Sequence, residues 1–195
     1  GTTPCWSVGL HPWYLTDVDL EAATQWLREQ AAQPGCLAIG EAGLDKITAT
    51  PWDLQLAAFD RCIQVAAETG KPLIIHCVRA HNEVLKVLRR PKSPAAGRRG
   101  VVFHVFTKNL LTPQISPDAG YYLPFGAALL HKKKHAAGVL RQTPATRFFL
   151  ETDDQQTFDI RAVYARAAEL RGWPVEQVAE QVLENFRAVF GMDDH

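Results

Sequence analysis

Five residues that can bind a metal ion or transfer a proton each follow a short apolar run. They are three histidines and two carboxylates, separated by roughly 30 to 50 residues: His11, Glu41, His76, His104 and Asp153. Imidazole nitrogens and carboxylate oxygens together form a mixed ligand set that suits Zn²⁺, Mn²⁺ or a similar divalent ion. If these side chains meet, they predict a hydrolytic metal centre, because a bound ion can activate water.

Six short apolar runs are predicted to be the strands that position these residues. Runs without polar alternation are typical of strands buried on both faces of a parallel sheet. Helical stretches are predicted between or after them, with apolar residues at three- and four-residue spacing. They are Leu56–Ala66 with a stop at Gly70, Asn82–Arg90, Ile160–Leu170 with a stop at Gly172, and Pro174–Val189. One βα unit takes about 25 to 35 residues. We therefore expect the five residues at the carboxyl ends of neighbouring strands, where a TIM barrel builds its active site. The runs are Trp6–Leu10, Cys36–Gly40, Pro72–Ile75, Val101–Phe103, Tyr121–Phe125 and Phe148–Leu150.

Each of the five residues also has a structural explanation when it is considered alone. A histidine after a strand is more often a satisfied structural residue than a ligand, and Glu41 or Asp153 could cap the helix that follows. Five such residues in phase with five predicted strand ends are harder to explain structurally. The pattern therefore favours a shared site.

The composition is that of a soluble globular protein without a bias toward a charged partner. The 195 residues are 47% apolar and 22% charged, with 21 basic and 21 acidic side chains. No global field indicates nucleic acid, although a local patch with bound cations could still serve such a substrate. The four cysteines show no CxxC pairing, which favours a reducing, cytoplasmic setting. No apolar run reaches membrane-spanning length, and no obligate protein partner is evident.

Several motifs resemble those of the TatD-related metal-dependent hydrolases, and the resemblance covers nearly the whole chain. Members of this family have a TIM-like barrel of the amidohydrolase kind with a one- or two-metal centre, and they include DNases. The resemblance implies a divalent-metal-dependent hydrolase, most simply a phosphodiesterase or deoxyribonuclease acting on DNA. The motifs are Gly9-Leu-His-Pro-Trp13, Gly40-Glu-Ala-Gly-Leu-Asp45, Ile75-His-Cys77, Phe103-His-Val-Phe-Thr107 and Leu150-Glu-Thr-Asp153.

The resemblance also implies a role for each matching residue. Glu41 is similar to the carboxylate that bridges two ions, and His76 and His104 are similar to ligands of one of them. Asp153 resembles the residue at the other ion that orients or deprotonates the attacking water. His11 would line the substrate side. Asp45 is predicted to cap a helix or loop in preference to a catalytic role. Arg79 could meet a phosphate, although Val78 separates it from the His-Cys pair that an arginine usually follows in the family.

The chain departs from the family pattern at its start. The Asp-x-His-x-His strand that completes one metal site is missing, and six strands are recognisable where a closed barrel of this type needs about eight. We predict one domain over residues 1–195, a TIM-like (β/α) barrel that lacks its first one or two βα units and holds one ion tightly. The alternatives are an amidohydrolase acting on C–N bonds and a naturally shortened, inactive paralogue with a binding role.

Overall fold

A computed structural model describes residues 4–90, 100–104, 120–131, 134–153 and 159–191. The chain divides into two compact units, Gly1–His104 and Val105–His195. The prediction of a single domain over 1–195 stays a prediction. None of the helices in the described part of the chain has the length and apolar character that crossing a bilayer requires.

The first unit is an alternation of parallel strands and helices. Its strands β1 to β4 pair side by side in chain order, each parallel to the next. Because parallel neighbours need crossover connections, helices lie between consecutive strands. The elements are β1 (Trp6–Val8), α1 (Leu20–Ala31), β2 (Cys36–Asp45), α2 (Trp52–Thr69), β3 (Leu73–Val78), α3 (His81–Leu88) and β4 (Val101–His104).

Local sequence explains where the helices of this unit begin and end. The Asp19 carboxylate accepts hydrogen bonds from the free N–H groups of Glu21 and Ala22 at the start of α1. Gly70 ends α2 in the left-handed conformation that favours glycine, which confirms the predicted stop. Helix α3 confirms the predicted helical stretch near Asn82, whereas α1 has no counterpart among the predicted helices.

The predicted relation between strands and site residues needs a correction. The apolar run at Cys36–Gly40 does not end β2, which continues through Glu41 to Asp45, and β3 includes His76. The prediction that Glu41 and His76 follow their strands is therefore wrong. The small residues Gly40, Ala42 and Gly43 allow the extended chain to continue past the carboxylate. His104 is the last residue of β4.

The described residues of the second unit form two strands and three α-helices, with short 3₁₀ turns. Strands β5 (Tyr121–Phe125) and β6 (Phe148–Leu150) have the predicted bounds and pair in parallel. Helices α5 (Ile160–Arg171) and α6 (Val175–Phe190) confirm two predicted stretches, whereas α4 (Lys134–Gln142) was not predicted. Buried Asn185 of α6 donates to the carbonyl oxygens of Ala145 and Phe148, which ties the helix to the start of β6.

Candidate metal centre

Glu41 lies where the ladder between β2 and β3 is interrupted. The pairing of the two strands shifts register between Ile39 and Ala42, and the peptide bond between Gly40 and Glu41 is cis. A register shift of this kind aims a side chain differently from a regular strand. The Glu41 side chain is 30% exposed, so its carboxylate is reachable from solvent yet partly enclosed.

Three imidazole nitrogens surround the Glu41 carboxylate. Its Oε2 atom lies 3.6 Å from His11 Nε2 and 3.4 Å from His76 Nδ1. Its Oε1 atom lies 3.3 Å from His104 Nε2. His11 Nε2 and His76 Nδ1 are themselves 3.2 Å apart. The first unit therefore brings four of the predicted site residues together, with three histidines around the Glu41 carboxylate.

The strand register explains why two of these histidines face the same place. His76 and His104 are paired neighbours in the parallel ladder between β3 and β4, so their side chains project from adjacent positions on one face of the sheet. His11 reaches the site from the segment after β1, where it begins a short 3₁₀ turn over Pro12–Tyr14. The backbone N–H of Trp13 donates to His11 Nδ1 at 3.2 Å, which directs Nε2 toward Glu41.

Asp45 lies behind His76 and is fully buried. Its Oδ2 atom is 3.0 Å from His76 Nε2 and also accepts a hydrogen bond from the Trp13 indole N–H at 2.6 Å. Its Oδ1 atom accepts the backbone N–H of Ile47 at 2.8 Å. Asp45 therefore caps the loop after β2 and, through its second oxygen, holds a histidine of the site.

Glycine at two positions allows the strands to approach closely beside the site. A Cβ atom at Gly43 would lie closer to the His76 carbonyl oxygen than the 3.0 Å below which real Cβ contacts essentially never fall. A Cβ atom at Gly9 would meet the Glu41 carbonyl oxygen in the same way. The backbones that carry His11, Glu41 and His76 are thus packed directly against one another.

Electrostatics keep the Glu41 carboxylate charged. Burial by itself would raise the pKa of Glu41, but hydrogen bonds from His11 and His76, with the charges of His104 and His11, lower it to about 2. Burial would lower the pKa of His76, yet hydrogen bonds to Glu41 and Asp45 raise it. Glu41 is thus an anionic ligand at neutral pH, whereas a metal ion must displace any proton from His76 Nδ1.

The donor set fits a divalent ion. Around a tetrahedral ion with bonds of about 2.0–2.1 Å, neighbouring ligand atoms lie about 3.4 Å apart. The separations between the Glu41 oxygens and the three imidazole nitrogens are 3.3 to 3.6 Å. Moreover, His11, Glu41 and His76 offer ligand atoms that all lie within 4.8 Å of one another. Nitrogen and carboxylate oxygen are also the ligands that zinc and neighbouring transition metals accept.

A family model described as TatD related DNase matches residues 3–191. The chain belongs to the TatD related DNase family. The match covers both units and every motif on which the resemblance was based. The predicted family is therefore confirmed.

Relatives in the TatD related DNase family carry hydrolase and nuclease names. The metal-dependent hydrolase YcfH of Escherichia coli K12 is 31% identical over 96% of this chain and 74% of its own length. The 3'-5' ssDNA/RNA exonuclease TatD of Pantoea ananatis is also 31% identical, over 96% of this chain and 78% of its own. These names confirm the predicted enzyme class, a metal-dependent hydrolase.

Solved structures of similar proteins confirm the predicted fold class. The TatD homologue YjjV of Escherichia coli K12 matches with a TM-score of 0.78 and 27% identity, covering 96% of this chain and 76% of that one. An uncharacterized amidohydrolase of Saccharomyces cerevisiae matches with a TM-score of 0.75 at 14% identity, covering 94% and 79%. The second likeness concerns the fold alone. Together with the parallel strand pairs described within each unit, these matches identify a partial TIM-like (β/α) barrel.

Two predicted site residues lie elsewhere in the chain. Arg79 is exposed directly after β3 and has a positive φ of 52°, and it is not among the described side chains around Glu41. Asp153 belongs to the second unit, where it follows β6 with a positive φ of 55°. The metal, catalytic and substrate-binding roles of all six predicted residues stay predictions.

Sequence reasoning missed the link between Asp45 and His76, since Asp45 was expected to act only as a cap. One signal was available. Glu41 and Asp45 are four residues apart, and an even spacing in a strand puts two side chains on the same face. That signal becomes useful only once β2 is known to extend through both residues.

Proposed function

We propose that this chain is a metal-dependent phosphodiesterase that hydrolyses single-stranded nucleic acid at the centre around Glu41. The observation that carries the proposal is a single anionic carboxylate with three imidazole nitrogens 3.3 to 3.6 Å from its oxygens. In this proposal Glu41, His76 and His104 hold a divalent ion, with Zn²⁺ favoured over Mn²⁺ or Mg²⁺ because nitrogen donors predominate. The chain is proposed to work in the cytoplasm.

The described residues supply the parts that phosphodiester hydrolysis needs. An ion in this centre supplies positive charge for the phosphate and a lowered pKa for water. Asp153 is proposed to orient the attacking water and accept its proton. His11 is proposed to donate a hydrogen bond to the substrate, and Arg79, which is exposed beyond β3, to pair with a neighbouring phosphate.

Aromatic side chains beside the centre favour a single-stranded substrate. Trp13 is 52% exposed and Tyr14 is 73% exposed, and both contact the His11 ring. Unpaired bases stack on aromatic faces without regard to sequence, whereas bases within a duplex are already stacked. The nuclease activity named for the Pantoea ananatis relative, on ssDNA and RNA, agrees with this substrate class.

The proposal is tested by incubating the purified chain with end-labelled single-stranded DNA, the matching duplex and a panel of small amides. Each assay is run with added Zn²⁺, Mn²⁺ or Mg²⁺ and again with a chelator. We expect metal-dependent shortening of the single strand that is faster than that of the duplex. Cleavage of amides alone would support the amidohydrolase alternative. Absence of any hydrolysis above that of a Glu41→Gln preparation would favour the inactive paralogue with a binding role.

We expect the chain to hold one divalent ion tightly and a second weakly or not at all. Glu41, His76 and His104 give one ion three protein ligands, whereas Glu41 and Asp153 give another only two. Elemental analysis after exhaustive dialysis, and calorimetric titration with Zn²⁺, measure the number of ions per chain. Two tightly held ions would contradict this ligand count.

Single substitutions should distinguish His76, the proposed metal ligand, from His11, the proposed hydrogen-bond donor. His76→Ala should weaken Zn²⁺ binding by more than about 100-fold, because second-sphere changes alone cost about 10- to 100-fold. His11→Ala should leave Zn²⁺ binding nearly unchanged but lower kcat/KM by about 100-fold, as losing a donor to a reacting group does. His131→Ala, which changes an exposed histidine of the second unit, is the control. Equal losses of Zn²⁺ affinity in the two site variants would make His11 a ligand.

A further inference from the structure

His76 is held so that a particular ring nitrogen faces the centre. Its Nε2 atom lies 3.0 Å from Asp45 Oδ2. An ionised carboxylate accepts hydrogen bonds but cannot donate them, so Nε2 must carry the proton of the neutral ring. The other nitrogen, Nδ1, then carries no proton. Its lone pair faces the centre, 3.4 Å from Glu41 Oε2. His76 is therefore arranged as a metal ligand through Nδ1.

His11 turns the other ring nitrogen, Nε2, toward the centre. Its Nδ1 atom is 3.2 Å from the backbone nitrogen of Trp13. A backbone N–H can only donate, so His11 Nδ1 must be the acceptor and Nε2 must carry the proton of the neutral ring. That N–H points toward Glu41 Oε2 and His76 Nδ1. His11 thus presents a hydrogen-bond donor to the space that His76 faces with a lone pair.

Trp13 connects the hydrogen bonds that hold His11 with those that hold His76. The backbone N–H of Trp13 binds His11, while its indole N–H binds Asp45 Oδ2 at 2.6 Å. Asp45 is 0% exposed, and the backbone N–H of Ile47 fixes its other oxygen. The carboxylate can therefore neither rotate freely nor turn to solvent, and His76 Nε2 has a fixed partner.

We propose that Trp13 and Asp45 are positioning residues that hold His11 and His76 in the same Nε2–H tautomer but turn different ring nitrogens toward the centre, Nε2 of His11 and Nδ1 of His76. His76 is then a neutral Nδ1 ligand, and His11 is a donor that does not compete for the ion. The reference to an ion rests on the proposed function, but the tautomers are a property of the metal-free protein. They can be measured whether or not the chain cleaves nucleic acid.

The first test is long-range ¹H–¹⁵N NMR of the metal-free chain with ¹⁵N-labelled histidine. Spectra are recorded at about pH 9, above the ordinary histidine pKa of about 6.5. Variants His11→Gln and His76→Gln assign the signals. We expect protonated Nε2 in both rings, with the unprotonated Nδ1 of His76 shifting when Zn²⁺ is added and that of His11 staying in place. A proton on His76 Nδ1, or a Zn²⁺-induced shift of His11 Nδ1, would overturn the proposal.

The second test measures Zn²⁺ affinity by calorimetric titration. Asp45→Asn replaces the accepting oxygen while keeping the size of the side chain, so Zn²⁺ binding should weaken about 10- to 100-fold. The His76 tautomers should become mixed, while His11 should be unchanged because its partner is backbone. Asp60→Asn, which alters an exposed carboxylate paired with Arg90, is the matched control. A purely structural cap at Asp45 predicts lower stability with the tautomers and the Zn²⁺ affinity intact, and that result would overturn the proposal.

Trp13→Phe keeps the test independent of whether Asp45→Asn folds. It removes the indole N–H while keeping an aromatic ring, although a smaller one, and the backbone N–H. We expect a Zn²⁺ affinity a few-fold weaker than wild type, because one restraint on Asp45 is lost, and an unchanged His11 tautomer. A change at His11 without any change at His76 would contradict the assigned connections. Absence of nuclease activity in the wild-type chain, with both tautomers as expected, would count against the proposed function alone.

Discussion

Replacing Glu41 by glutamine is expected to abolish tight metal binding and to lower hydrolysis by at least about 1000-fold, or about 4 kcal/mol in the barrier. One carboxylate holds three imidazoles through both of its oxygens. Its pKa of about 2 makes it the permanent negative charge of the site at neutral pH. Glutamine keeps the shape but removes that charge and places an N–H₂ group where one oxygen faced a histidine. Calorimetric titration with Zn²⁺ and a single-strand cleavage assay measure the two effects.

The control for Glu41→Gln is Glu68→Gln, which changes an exposed carboxylate on α2 that pairs with Arg28. It should bind Zn²⁺ and cleave as the wild type does. Circular dichroism of the metal-free variants establishes that both are folded. If Glu41→Gln, or the more severe Glu41→Ala, kept the wild-type metal content, Glu41 would be removed from the metal site and the proposed function would lose its main support.

Gly43→Ala is expected to destabilise the fold by about 3 kcal/mol or more, which combines overpacking with backbone strain. The added methyl group would overlap the His76 carbonyl oxygen, and the φ of +154° at this position is one that side chains other than glycine rarely adopt. Strands β2 and β3 would have to separate where they carry Asp45 and His76. Chemical denaturation of the metal-free chain measures the loss, and Zn²⁺ titration shows whether the site survives.

Gly138→Ala provides the contrasting substitution. Gly138 lies within α4, and a Cβ atom there would meet nothing within 4 Å. Alanine should therefore stabilise the chain by up to about 1 kcal/mol through helix propensity. Equal denaturation midpoints for Gly43→Ala and the wild type would show that the close approach of β2 and β3 is not required for stability.

The sequence was sufficient to predict most elements that carry the site. Short apolar runs without polar alternation located all six strands, because strands buried on both faces need nonpolar residues throughout. Gly70 and Gly172 correctly ended two helices. Helices α1 and α4 were missed, although Asp19 is a typical helix-capping residue before α1.

The sequence could not predict the strand bounds around Glu41. A carboxylate in an apolar run normally indicates that a buried strand has ended. Here the strand continues through Glu41, which occupies a register shift and meets His76 on β3 and His104 on β4. Similarly, the contact of Asp45 with His76 depends on the register between β2 and β3. An apolar run without polar alternation does not specify which residues of the two strands are paired.

The arrangement around Glu41 is contained within the first unit, whereas Asp153 belongs to the second. Under the proposed roles, the residues for ion capture and the residue for turnover belong to separate stretches of the polypeptide. A lineage that lost only the proposed base would still sequester a cation through Glu41, His76 and His104. Such a descendant could persist as a metal-buffering or nucleic-acid-retaining protein long after cleavage had ceased.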